Sequence, residues 1–222
     1  MRSEPFWHYF DTEPRPKLAL RAETFAKMFD YLDGFDRPVG IVETGCVRLA
    51  GNWAGDGGST ILFDKYAEFH AGTVVHTVDV DQQATSLCRT LVSERVTIHT
   101  ADSVAFLKKF ADAPPKDFPA LDLLYLDSFD LNYDDVFPSA FHHMKELTAV
   151  GTMIRPKTLV VVDDSPFYFS GLIENNSLNL TTQPKIGGKG KLIAEYAQQV
   201  CAEQRFTGYQ CGWTRLGSSG GA

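Results

Sequence analysis

The sequence predicts an α/β fold: a Rossmann-like, doubly wound, mostly parallel sheet of six or seven strands with helices on both faces. Short apolar runs alternate with stretches in which apolar residues recur at helical spacing, and this alternation is typical of βαβ units. The apolar runs are nearly uninterrupted, as expected of strands that helices cover on both faces. The 222 residues, 44% of them hydrophobic, suit a single such domain with a full core.

The elements follow in order along the chain. Apolar residues recur at roughly helical spacing over 17–33, so residues 1–38 are predicted to be a helical segment that packs on the domain. The main domain is predicted at 39–216, followed by a flexible Gly- and Ser-rich tail at 217–222. Parallel strands are predicted at 39–45, 73–79, 95–101, 121–127 and 158–163, with helices between them at 59–70, 82–92, 103–111 and 134–148.

The last part of the domain has a weaker pattern. Residues 165–190 predict a long irregular connection, and loops of that length in a compact domain are usually lids or binding loops. A helix at 191–204 and a strand at 206–215 follow. The sheet therefore has six strands, or seven if 177–183 holds another.

The first predicted strand runs into a glycine-rich loop. Glu43 and Gly45 end the strand, and Gly58 precedes a helix for which Ser59 is the expected N-cap. Glycines at such a turn let the backbone approach a ligand closely, as they do in nucleotide sites. We predict that Glu43, Gly45, Gly58 and Ser59 bind a cofactor. The alternative is an ordinary long loop with turn glycines.

Acidic residues follow the second and third predicted strands. Asp79 has the spacing from the glycine-rich loop at which an acid accepts hydrogen bonds from ribose hydroxyls. Asp81 is better explained as the cap of the next helix. Asp102 and Ser103 end the third strand, and we predict that they contact a base edge. The alternative is that Ser103 caps the next helix.

Three further carboxylates follow the fourth and fifth predicted strands. Asp127 ends one strand, and Asp163 and Asp164 end the next, so all three face the crevice at the carboxyl edge of the sheet. Crowded carboxylates repel one another unless a cation offsets them, and an all-oxygen set suits a hard ion such as Mg²⁺. The alternative is a polar turn and a loop cap without a metal.

Two neighbouring segments add candidates. Asp130 lies in the loop after Asp127 and is the predicted general base, the alternative being a solvated loop acid. The segment 187–191, GGKGK, fails the phosphate-loop pattern because it lacks the required earlier Gly and the Ser or Thr after the Lys. It is either a basic lip over the pocket or a plain helix-start loop.

Composition excludes several classes of partner. The formal charge of −7 argues against a nucleic-acid backbone. No run of apolar residues reaches the length of a membrane span, so a membrane partner is not expected. The four cysteines lack the spacing of a zinc site or a disulfide scaffold. Scattered cysteines of this kind are typical of a protein in a reducing compartment, so we expect the protein in the cytoplasm.

Taken together, residues 39–165 resemble the class I S-adenosylmethionine-dependent methyltransferases, and within them the metal-dependent O-methyltransferases of the catechol and macrocin type. In that family an E-x-G turn after the first strand and an acid after the second hold the cofactor. The resemblance thus implies S-adenosylmethionine binding by Glu43, Gly45 and Asp79.

The same resemblance implies a metal. Acids after the fourth and fifth strands of the family ligate Mg²⁺, which matches Asp127, Asp163 and Asp164, and the base follows the first ligand by two or three residues, as Asp130 does. The loop before Gly58 is longer than usual in the family, and one clear strand follows the fifth where the family has an antiparallel pair.

These observations predict an enzyme that moves the methyl group of S-adenosylmethionine to a hydroxyl of a small polar acceptor, a sugar or a natural product. One alternative is an NAD- or nucleotide-sugar-linked Rossmann oxidoreductase, which predicts a compact GxGxxG that this loop does not show. Another is a non-catalytic nucleoside-binding module. A homo-oligomer is left open.

Overall fold

The computed structural model describes residues 2–169, 171–180, 182 and 184–217 of the chain. The predicted tail at 217–222 lies outside the described residues except for Gly217.

The helices of the described chain are, in order, α1 Glu4–Thr12, α2 Ala22–Asp33, α3 Trp53–Asp56, α4 Ser59–Phe69, α5 Gln82–Leu91, α6 Ser103–Asp112, α7 Phe137–Ala149 and α8 Lys191–Gln199. Short 3-10 turns cover Arg15–Lys17, Ala19–Arg21, Gly151–Met153 and Gly188–Gly190. The strands are β1 Gly40–Thr44, β2 Val74–Asp79, β3 Val96–Thr100, β4 Leu121–Leu126, β5 Leu159–Val162, β6 Phe167–Tyr168, β7 Gly171–Glu174, β8 Ser177–Leu180, β9 Lys185–Ile186, β10 Glu203–Phe206 and β11 Cys211–Thr214.

The main sheet confirms the predicted fold class. Within the described residues it has seven strands in the order β10-β11-β5-β4-β1-β2-β3. The first five strands along the chain pair in parallel, whereas β11 is antiparallel to β5 and β10 is antiparallel to β11. Strand order reverses between β1 and β4, and the carboxyl ends of such strands border the crevice where ligands bind in open α/β sheets.

The extra strand of the main sheet was not predicted. Residues 203–206 form β10, whereas the sequence pattern placed 203 and 204 in the final helix. Helix α8 ends at Gln199, and Cys201 adopts a φ of +53°, which reverses the chain and lets β10 pair with β11.

The prediction of an irregular connection at 165–190 was also wrong. Strand β6 pairs with β9, and β7 pairs with β8 as a hairpin separate from the main sheet. Asn175 and Asn176, at the tip, both have positive φ, as a type I′ hairpin turn requires. The residues of 177–180 therefore pair locally and do not extend the main sheet.

The N-terminal segment packs on one face of the sheet. Its helical part differs from the prediction, because residues 15–21 form 3-10 turns around Pro16 and α2 starts only at Ala22. Phe6 packs edge-on against Tyr66 of α4, and Phe29 stacks on the same ring. Aromatic rings therefore join the N-terminal segment to the helix layer on that face of the sheet. The opposite face is covered by residues of α6, α7 and α8. Among the described helices, none combines the length and apolar character needed to cross a bilayer.

Candidate functional site

The turn after β1 brings β1 and β4 together at the point where strand order reverses. Gly45 has a φ of +83°, and a Cβ on it would lie 2.6 Å from the carbonyl oxygen of Asp127. A side chain is therefore excluded both by backbone conformation and by space. The glycine predicted from the sequence thus allows two strand ends to approach each other at the crevice.

Glu43 lies inside the protein behind this turn. It is fully buried and accepts hydrogen bonds from the hydroxyls of Ser59 at 2.5 Å, Thr60 at 2.7 Å and Thr77 at 2.7 Å. Burial raises its pKa to about 7, although the three hydroxyls oppose the rise. The contacts fix the start of α4 against β1 and β2, so any effect of Glu43 on a cofactor passes through the loop.

The cap of α4 differs from the prediction. Gly58, with a φ of +59°, is the N-cap, and Ser59 is the first helical residue. The Ser59 hydroxyl donates to Glu43 and does not cap the backbone. Gly58 takes the cap position because its left-handed backbone conformation suits a glycine, and Ser59 is thereby moved into the first turn of the helix.

Asp79 ends β2 close to the same turn. Its carboxylate accepts hydrogen bonds from the backbone amides of Cys46 at 3.1 Å and Asp81 at 2.8 Å, one to each oxygen. Asp81 caps α5 by accepting from Gln83, as predicted. Asp79 therefore ties the glycine turn to the end of the neighbouring strand.

The third strand ends in residues that begin α6. Asp102 is the N-cap and accepts from the amide of Ala105 at 2.8 Å, so the alternative role of Ser103 as the cap is wrong. The Ser103 hydroxyl lies 3.0 Å from Nε2 of His142 on α7. Asp102 is exposed and Ser103 buried, so Asp102 is the more accessible to a ligand.

The carboxylates after β4 and β5 meet a lysine. The ammonium group of Lys189 lies 2.5 Å from Oδ1 of Asp127 and 3.0 Å from Oδ2 of Asp164. Burial alone would lower the pKa of Lys189, but the two carboxylates outweigh it and hold the pKa above its ordinary value. Lys189 is 1% exposed, while the side chains of Asp127 and Asp164 are each 19% exposed.

Asp163 is enclosed by other groups of the protein. It is fully buried, and its oxygens accept from Nε of Arg21 at 2.8 and 3.0 Å, from the Tyr125 hydroxyl at 3.0 Å and from the amide of Asp164 at 2.8 Å. Three donors thus make four contacts with a carboxylate that can accept about four hydrogen bonds. Arg21 also pairs with Asp164 at 3.0 Å, and its guanidinium lies over the ring of Tyr209.

The arrangement does not fit a metal held by all three predicted ligands. The lone pairs of Asp163 are engaged by other groups, and the Lys189 ammonium already lies between Asp127 and Asp164. In the described part of the chain, no group of three His, Cys, Asp or Glu side chains is arranged to hold an ion. The assignment of Asp127, Asp163 and Asp164 to Mg²⁺ therefore stays a prediction from the resemblance.

Asp130 lies on an exposed loop next to the crevice. Its carboxylate pairs with Arg48 at 2.9 Å, and the backbone amide of Arg48 donates to Asp56 at 3.0 Å. The long loop after β1 and the loop after β4 are thus joined by an ion pair. The role of Asp130 as a base stays a prediction.

A cavity of about 390 Å³ lies beside the acid cluster. Its walls are mostly apolar, and Tyr133, Phe167 and Tyr168 supply aromatic rings. Gly188, which precedes Lys189, also lines it, so the cavity borders the segment that carries the ammonium group.

Sequence reasoning offered 187–191 as a basic lip over the pocket or a helix-start loop, but it paired neither Lys189 nor Arg21 with the acids. Lys189 lies in the GGKGK segment, whose glycines were a usable signal for a tightly packed backbone. Arg21 lies at the start of α2 in a segment without any pattern that marks a site, and it reaches Asp163 across 142 residues of chain.

The chain was compared with protein families, curated proteins and solved structures, and only solved structures match it. No family model matches the chain, and no curated protein matches its sequence. The apo structure of CalS11, a TDP-rhamnose 3'-O-methyltransferase and an enzyme in calicheamicin biosynthesis, matches 96% of this chain and 92% of its own, at 13% identity and a TM-score of 0.54.

Two further structures are similar at lower scores. The MycE methyltransferase of mycinamycin biosynthesis, solved with Mg, SAH and mycinamycin VI, matches 72% of this chain at 18% identity and a TM-score of 0.46, and this chain spans 38% of the length of MycE. CalS10, an amino pentose methyltransferase from Micromonospora echinaspora, matches 97% of this chain and 98% of its own at 9% identity and a TM-score of 0.48. By the match to CalS11, the chain has the Rossmann-like fold of a methyltransferase to which it is structurally similar.

Proposed function

We propose that this protein transfers the methyl group of S-adenosylmethionine to a hydroxyl of a small polar acceptor, such as a sugar. The observation that carries the proposal is the match to CalS11 over 96% of the chain, since CalS11 is a sugar O-methyltransferase. Fold alone does not define function. The carboxyl edge of the sheet supports the proposal as well, because Gly45 follows β1 and Asp79 ends the neighbouring β2 there.

The cofactor would lie along the carboxyl ends of β1, β2 and β3. The turn residues Gly45 and Gly58 would contact the methionine part, and Asp79 would accept from the ribose hydroxyls through lone pairs that its two backbone amides do not use. Asp102 and Ser103 would face the adenine edge. Glu43 and Ser59 would hold the loop in place from inside.

The acceptor would enter through the cavity beside Lys189. Its aromatic walls suit the less polar face of a ring. The carboxylates of Asp127 and Asp164, which pair with the neighbouring Lys189, would supply the polar contacts. In the transfer, the acceptor oxygen forms a bond to the methyl carbon while the bond from that carbon to sulfur breaks. The hydroxyl proton passes to Asp130, and S-adenosylhomocysteine leaves. Positioning of the two reactants would supply much of the acceleration.

Calorimetric titration with S-adenosylhomocysteine tests the cofactor assignment. We expect micromolar binding, no competition by NAD, and affinity weaker by at least about tenfold in Asp79→Ala, because lost hydrogen bonds to ribose correspond to about 1.4 kcal/mol. Asp112→Ala, an exposed acid on α6, is the matched control and should bind like the wild type. Absence of binding, or a preference for NAD, would overturn the proposal.

The role of Asp130 is tested separately, with a methyl acceptor in hand. Asp130→Asn should lower kcat by about a hundredfold or more, as expected for loss of a general base, while the affinity for S-adenosylhomocysteine is unchanged. Asp134→Asn removes an exposed acid from the same loop and should keep kcat. Equal kcat in the two variants would remove Asp130 from the mechanism.

A further inference from the structure

The acid cluster after β4 and β5 contains a cation supplied by the chain itself. We propose that Lys189 occupies the place that the resemblance assigns to a divalent metal, so that the Lys189-paired carboxylates of Asp127 and Asp164 bind the acceptor by hydrogen bonds without a metal ion. Lys189 is then a positioning residue. Only the identity of the acceptor rests on the proposed function; the position of the cation does not.

The contacts of Lys189 are those of a bridging cation. Its ammonium group lies 2.5 Å from Oδ1 of Asp127 and 3.0 Å from Oδ2 of Asp164, and it also approaches the carbonyl oxygen of Asp127 at 3.4 Å. A divalent ion that bridged the two carboxylates would need the same space. It could enter only if the ammonium group left.

The backbone on both sides of Lys189 opposes such a departure. Gly188 has a φ of +55°, and a Cβ on it would overlap the carbonyl oxygen of Asp164, so the two segments are in direct backbone contact. The amide of Lys189 donates to that same carbonyl at 3.0 Å. A Cβ on Gly190 would overlap the Ser165 hydroxyl. The glycines of GGKGK therefore press the segment against the turn after β5 and direct Lys189 into the cluster.

The charges of the cluster are nearly balanced without a metal. Arg21 and Lys189 together offset two of the three carboxylates of Asp127, Asp163 and Asp164. A divalent ion added to this set would face two buried cations at short range, which is unfavourable at low dielectric. Among the described residues, none donates a hydrogen bond to Oδ2 of Asp127, so that oxygen is available to an acceptor hydroxyl.

Manganese binding to the purified full chain tests the proposal, with the room-temperature electron paramagnetic resonance signal of free Mn²⁺ as the readout. The wild type should leave the signal unchanged at millimolar Mn²⁺. Lys189→Ala should remove free Mn²⁺ with an affinity at least about tenfold tighter than the wild type, because the substitution leaves Asp127 without a cation and Asp164 paired only with Arg21. Lys191→Ala removes a charge from the same segment without touching Asp127 or Asp164 and should behave like the wild type.

Two results would overturn the proposal. One is stoichiometric Mn²⁺ binding by the wild type that is lost in Asp127→Asn, because the ion would then have displaced Lys189. This measurement does not depend on whether a Lys189 variant folds. The other is a folded Lys189→Ala that binds no more Mn²⁺ than the wild type. Titration of the same samples with S-adenosylhomocysteine reports on the proposed function independently, so failure of either hypothesis can be recognised by itself.

Discussion

Glu43 shows how one buried residue links the pH to the stability of the protein around the loop after β1. Its three hydroxyl partners come from α4 and β2, and it has no exposed surface. Burial raises its pKa from 4.5 to about 7, which means that the folded protein holds a proton there over a range in which the unfolded chain has released it. Stability from this group is therefore present at low pH and lost as the pH rises from about 4.5 to 7.

Glu43→Gln should remove this pH dependence. The shift corresponds to roughly 3 kcal/mol, so the variant should gain up to about that much stability over the wild type at pH 8 and little at pH 4.5. Urea unfolding at the two pH values measures the difference, with the exposed Glu94→Gln as control. A gain that is equal at both pH values would contradict the assignment.

The Gly188–Gly190 turn is an element whose sequence is explained by packing. A side chain at Gly188 meets both a strained backbone conformation and the carbonyl of Asp164, whereas Gly51 has a similar φ of +75° with open space around it. Comparing the two positions separates the cost of the positive φ from the cost of the steric overlap, because only Gly188 has both.

Gly188→Ala should therefore destabilise the protein more than Gly51→Ala. The positive φ alone costs about 1–2 kcal/mol, and the overlap at Gly188 should add at least about as much again. The difference in free energy of unfolding between the two variants, measured in urea, gives the packing contribution. Equal losses would show that the segment has room to relax and that Lys189 is held less firmly than the contacts indicate.

Elements differ in how far the sequence determines them. Strands β1, β2, β4 and β5 were predicted because buried parallel strands need nearly continuous apolar runs, and such runs are visible without the fold. The edge strand β3, VTIHT, is partly exposed and was predicted from the alternation of strands and helices. Strand β10 was missed because EQRF is polar and exposed except at Phe206, so its pairing depends on β11 and not on its own pattern. The turn at Asn175 and Asn176 did carry a hairpin signal, which the length of the connection obscured.

At the scale of the whole molecule, the N-terminal segment is joined to the site by charge as well as by aromatic packing. Arg21 is 4% exposed, pairs with Asp163 and Asp164, and donates to the carbonyl of Ala54 at 3.1 Å. It thereby connects the N-terminal segment, the loop after β1 and the turn after β5.

Arg21→Ala should cost about 3–5 kcal/mol, because Asp163 would be left buried without its cation. Arg15→Ala, which breaks exposed ion pairs in the preceding turn, should cost less than about 1 kcal/mol. Urea unfolding measures both. Addition of Asp163→Asn to Arg21→Ala should recover part of the loss, and no recovery would mean that the arginine acts through packing and not through charge.

Part of the candidate site was predictable from the sequence. Acids at strand ends can be located from the sequence, because topology brings the carboxyl ends of parallel strands to one edge. The partners of those acids come from segments outside the alternating pattern, so Arg21 and Lys189 could be paired with them only once the chain had folded.

The separation of Arg21 from its partner also has a consequence for synthesis. The two residues lie 142 positions apart, so at about 5–20 residues per second a ribosome needs roughly 7–28 s to make Asp163 after Arg21. During that interval the guanidinium has to remain hydrated, because burial without the carboxylate is unfavourable. The nascent N-terminal segment therefore docks in its final position late, after the turn following β5 has emerged.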